Sequence, residues 1–117
     1  MTFHLRREEV LDGEQLKAML EESPARAAQA ILIAAREGVL DAQALLGQIL
    51  LDGLGIAQDQ PLAVRWFAIA ANGGHLMARN MLGRCHEHGW GCVADASIAA
   101  AHYRVAAESS LDWAMYN

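Results

Sequence analysis

The chain has 117 residues, 54% of them apolar, and a formal net charge of −5 from fourteen acidic against nine basic groups. The basic residues are scattered and only Lys17 is a lysine, so the basic stripe that a phosphate backbone requires is missing and nucleic acid is excluded as a partner. No apolar run approaches the roughly 18 residues of a membrane span, and Met1 to Val10 lacks the apolar stretch of a secretory signal; a cytoplasmic protein with no membrane partner is expected.

With only two prolines and no shift of composition along it, the chain reads as one domain over residues 1–117. Residues 1–12 form an N-terminal arm. Gly13 to Glu22 is predicted as a helix, with Asp12 at its cap and Gln15 three residues on. Ser23-Pro24 then caps a second helix that carries Ala27, Ala34, Ala35 and Gly38, so residues 13–37 form a modified N-terminal helix pair.

Residues 38–73 are the first full unit. Ala42, Leu45, Leu46 and Ile49 recur at helical spacing and mark an A helix, which Gly53-Leu54-Gly55 ends because glycine tolerates the left-handed backbone needed to leave a helix. Asp59 caps the B helix that follows, with Pro61 in its first turn, and Asn72-Gly73-Gly74 stops it. Residues 74–110 repeat this plan: Ala78, Met81, Leu82 and Cys85, then Gly89-Trp90-Gly91, then Asp95 and the helix of Ala99, Tyr103, Ala106 and Ala107. Residues 111–117 are expected to begin an A helix that is interrupted, because Ala114 lies thirty-six after Ala78.

The two full units are identical at Gly38/Gly74, Leu40/Leu76, Ala42/Ala78, Leu46/Leu82, Gly47/Gly83, Gly53/Gly89, Gly55/Gly91, Asp59/Asp95, Ala63/Ala99, Ala70/Ala106 and Ala71/Ala107. A period in this range is the signature of stacked helix pairs, so the fold expected is all-α, a short α-α superhelix of antiparallel helix pairs. Gly47 and Gly83 sit inside helices, where glycine costs about 1 kcal/mol relative to alanine, and this predicts close helix contact at both.

The order alanine, Leu-Gly, Gly-x-Gly-apolar, Asp, Ala, the aromatic pair Trp66-Phe67, Ala-Ala and Gly resembles the Sel-one-like repeat, a relative of the tetratricopeptide repeat. The resemblance covers residues 38 to 110 as two units. It implies a right-handed solenoid that binds proteins or peptides on the concave surface of its A helices, with no catalytic residues. The chain departs from the pattern at Leu50 and His86, where an aromatic is usual, at His102 in place of the first aromatic, and at Ser110 in place of the closing glycine.

Cys85, His86, His88 and Cys92 are residue types that bind zinc, but their spacing matches neither a Cys-x-x-Cys knuckle nor His-Glu-x-x-His. Cys85 stands in register with Ile49 and Cys92 with Ile56, which favours apolar packing over a metal site or a disulfide. No metal and no cofactor is assigned. No serine, histidine and acid fall together as a nucleophilic set, so no enzyme is expected.

On the A helices the positions free of the seam are Asp41, Gln48, Leu51 and Asp52, then Asn80, Arg84, Glu87 and His88. They are either ordinary solvated faces or a groove in which Asn80 and Arg84 hold a peptide backbone or carboxylate. Trp90, between two glycines, is either a lid over the helix seam or a binding anchor. The function expected is a protein–protein interaction scaffold or adaptor that binds a protein or peptide partner through Asp41, Gln48, Asp52, Asn80, Arg84, Glu87, His88 and Trp90. The alternative is a homo-oligomer, self-assembled through Leu111, Trp113, Met115 and Tyr116.

Overall fold

The computed structural model describes the backbone of residues 13–116, and the side chains of that span apart from residues 13, 14, 16, 17, 20 and 111–116. Six helices follow one another: α1 (Gly13–Glu22), α2 (Pro24–Arg36), α3 (Leu40–Asp52), α4 (Gln60–Asn72), α5 (Leu76–His88) and α6 (Ala96–Tyr116). Each packs mainly on its neighbours in the chain, and short connections force neighbours to run in opposite directions, which makes an all-α helical repeat solenoid. Its extents of 45 × 36 × 21 Å are two helix diameters in the thin direction, a single stack of pairs.

The core is small and alanine-rich. Phe67, Ile31, Leu46, Ile49, Leu50 and Cys85 are its largest sealed side chains, with Ala27, Ala34, Ala63, Ala70 and Ala78 filling the seams between them. Close approach replaces bulk. A Cβ added at Gly47 would lie 2.7 Å from the Phe67 ring, and one at Gly83 would lie 2.5 Å from the Tyr103 ring. Each A helix therefore rests directly on the aromatic of its own B helix, as the two helical glycines predict.

The A-to-B loops are built twice to the same plan. Gly53 and Gly89, both at φ +73°, end α3 and α5 by donating to the Ile49 and Cys85 carbonyls. Asp59 N–H then closes the first loop onto Leu50 O at 2.9 Å, and Asp95 N–H closes the second onto His86 O at 2.7 Å. Asp59 caps α4 through Oδ1, which accepts from Leu62 N–H, and Asp95 accepts from Ser97 and Ile98. The second glycine of each loop has a further duty. A Cβ at Gly55 would fall on the Pro24 carbonyl and one at Gly91 on the Gln60 carbonyl, so each loop lies against the first turn of the preceding B helix.

Three expectations are corrected. Ser23 occupies the N-cap of α2 but its side chain makes no capping bond, the helix being set instead by Pro24 and the packing of its alanines. Leu51, read as a groove residue, is buried at 7% exposure. Residues 111–116 do not start a new helix, because α6 runs unbroken to Tyr116. The reason lies in the closing turn: α4 ends at Gly73 and Gly74, the latter at φ +99°, whereas Ser109 and Ser110 at the same register supply no left-handed residue.

Candidate functional site

On α5, Asn80, Arg84 and His88 lie at intervals of four and form one exposed polar stripe. Among the described residues the Asn80 side chain has no hydrogen-bond partner. Arg84 and His88 converge on Trp90: the His88 imidazole stacks on the indole with centroids 4.6 Å apart, and the Arg84 guanidinium carbon lies 5.7 Å from the indole centroid. Trp90 itself is half-buried and packs against the core. The left-handed glycines on either side hold it at the loop tip.

The same positions on α3 are Ala44, Gln48 and Asp52. Ala44 is buried, and Gln48 donates its side-chain amide to Asp52 Oδ2 at 2.8 Å. Beside them is a recess of about 290 Å³, lined by Leu51, Asp52, Gln58, Gln60 and Trp90, where the end of α3, the first turn of α4 and the Trp90 loop meet. Asp41 stands apart at the start of α3, bonded to His75 Nε2 at 3.0 Å. Glu87 accepts from the Tyr103 hydroxyl at 2.9 Å and so faces α6. Leu111, Trp113, Met115 and Tyr116 lie outside the described side chains.

Several polar residues escaped the sequence reading. Gln43 Nε2 donates to Ala35 O, and Arg79 Nη2 donates to Ala71 O, each at 3.2 Å. The two are thirty-six residues apart, so one clip is used twice to tie an A helix to the last turn of the B helix before it. Two different polar side chains at one register of an otherwise apolar seam were the available signal. His75 caps α5 by accepting from Ala78 N–H at 3.1 Å, a role that Val39 cannot fill at the same register.

Cys85 and Cys92 are free thiols, the first buried and the second half-buried. Burial, then the neighbouring Cys92, pushes the Cys85 pKa up to about 11, against a smaller downward pull from Arg84. Cys92 Sγ lies 3.5 Å from His86 Nδ1, and burial raises its pKa as well. Among the described residues, no group of three or more His, Cys, Asp or Glu side chains is placed to hold a metal ion, and no helix is long and apolar enough to cross a membrane.

His86 stacks on His102 with centroids 5.5 Å apart, and Arg79 Nη1 lies 3.4 Å from His102 Nδ1, which accepts when the ring is neutral. Burial first, then the Arg79 charge and His86, lowers the His102 pKa. The unfolded chain thus takes up this proton more readily, so the contribution of His102 to stability is complete above about pH 6.5 and is lost as the pH falls. Urea denaturation of wild type and His102→Gln at neutral and mildly acidic pH should show the larger acid loss in wild type. Equal losses would remove His102 as the cause.

A crystal structure of a Sel1 repeat protein from Oxalobacter formigenes superposes with a TM-score of 0.73 at 24% identity, over 90% of this chain and 46% of that one. The crystal structure of c5321, a protective antigen present in uropathogenic Escherichia coli strains and displaying an SLR fold, superposes with a TM-score of 0.66 at 28% identity, over 84% of this chain and 26% of that one. The chain therefore spans about half the length of the first structure and about a quarter of the second. No curated protein matches it. The model of the Sel1 repeat matches residues 40–75 and 76–111, each match opening on the first residue of an A helix, Leu40 or Leu76. Two consecutive matches over most of the chain, on helix pairs that superpose on Sel1 repeat structures, place it: the chain belongs to the Sel1 repeat family.

Proposed function

We propose that this chain binds a segment of a partner protein along the exposed face of α3 and α5, as a scaffold or adaptor. Sel1 repeats are in general protein–protein interaction modules. The observation that carries the assignment to this face is the Asn80, Arg84 and His88 stripe with Trp90 against it. Among the described residues the Asn80 side chain has no hydrogen-bond partner, and the Arg84 guanidinium reaches the Met81 sulfur at 4.0 Å besides its place over the indole. Directed donors beside a half-buried tryptophan are what a peptide backbone or carboxylate needs for an oriented contact.

The test is capture of partners from the native lysate by wild type and by an Asn80→Ala, Arg84→Glu double variant, read by mass spectrometry. Both substitutions are on exposed positions, so the fold is kept. A partner held by wild type and lost by the variant is the expected result. A partner held equally by both would remove this face as the binding surface.

A further inference from the structure

We propose that the recess at the end of α3 receives a basic side chain of the partner. This rests on the protein-interaction reading above and names the chemistry of what is bound. Asp52 is the one ionisable group among the residues lining the recess. It is also the last residue of α3, where the helix dipole already places partial negative charge, and α3 has no basic residue in its last turn. On α5 the same turn carries His86 and His88. Of the two A helices, only α3 ends with negative charge and no side chain to offset it.

The hydrogen-bonding groups point to the same ligand. Asp52 Oδ2 takes the Gln48 amide, while Oδ1 has no protein donor among the described residues. Gln58 commits its amide nitrogen to Leu51 O at 2.8 Å, and among the described residues neither its Oε1 nor the Gln60 side chain has a hydrogen-bond partner. Two acceptor oxygens, Asp52 Oδ1 and Gln58 Oε1, therefore stand at a recess whose one charged group is a carboxylate, beside the neutral Gln60 amide and the Trp90 indole. A guanidinium, planar and rich in donors, matches two such oxygens and packs on the Trp90 edge of the recess. Arg84 does not compete for the space, because it lies over the indole and is not among the lining residues.

The experiment titrates the ¹⁵N-labelled full chain with two short alanine peptides, one carrying a central arginine and the other citrulline, which keeps the shape and loses the charge. Shifts are followed at the Trp90 indole N–H, assigned with Trp90→Phe, and at the Gln58 and Gln60 side-chain amides. Saturable shifts at these groups are expected, with the arginine peptide bound about fivefold more tightly and Asp52→Asn abolishing that preference. Equal binding of the two peptides, no shift at these groups, or a preference unchanged in Asp52→Asn would overturn the proposal. A lysate partner lost by the Asn80/Arg84 variant but held equally by wild type and Asp52→Asn would leave the interaction reading standing and overturn the recess alone.

Discussion

Replacing Gly91 with alanine should destabilise the fold by roughly 3 kcal/mol, measured by urea denaturation, because two costs coincide there. The residue is left-handed at φ +74°, a conformation that costs an alanine about 1–2 kcal/mol. Its new Cβ would also meet the Gln60 carbonyl and lie 2.7 Å from Pro61 N, both backbone groups that no rotamer change can move. The loop would have to lift from the first turn of α4, taking Trp90 and the wall of the recess with it. Gly74→Ala is the matching control. It is left-handed at φ +99° with nothing within 4 Å of the added Cβ, so it isolates the backbone cost. If Gly91→Ala costs no more than Gly74→Ala, the close approach of loop and helix is not a stabilising contact.

The second large effect is at the Phe67 ring. Phe67 is fully buried and is the largest side chain in the core, so Phe67→Ala should cost about 4 kcal/mol. Its position is specified by Gly47, whose added Cβ would lie 2.7 Å from the ring on a helix already packed tightly. Gly47→Ala alone should cost about 2 kcal/mol by overpacking, despite alanine's better helix propensity. Combining it with Phe67→Leu should cost less than the sum of the two single changes by about 1 kcal/mol, because the smaller side chain frees the space that the methyl group needs. Strict additivity in that cycle would mean that helix and ring do not compete for the same volume.

Much of this architecture is legible from residue order. The Gly-x-Gly loops, the Asp59 and Asp95 caps and the helical glycines each carry a local requirement that few other residues satisfy, so the pattern survives translation into structure. The candidate face was legible in part. Asn80, Arg84, Glu87 and His88 are exposed as their spacing on the helix predicts, because a period of 3.6 residues separates seam from surface without knowledge of the partner helix. Leu51 was misassigned for the same reason in reverse: an apolar residue at the margin of a stripe is buried only if the next element covers it, and here the loop to α4 does, with Gln58 donating to its carbonyl.

What the sequence determined by itself is the period, the helix pairs and the places where the chain must turn. These depend on backbone preference and apolar spacing within a few residues. The tertiary structure decided which polar groups find one another. The Asp41–His75 bond spans 34 positions, Arg79 reaches His102 across 23, and the Asp52 recess is closed by Trp90 from the following repeat. Such pairings depend on how far one helix pair is rotated and advanced on the next, a quantity set by the alanine and glycine contacts of the whole seam.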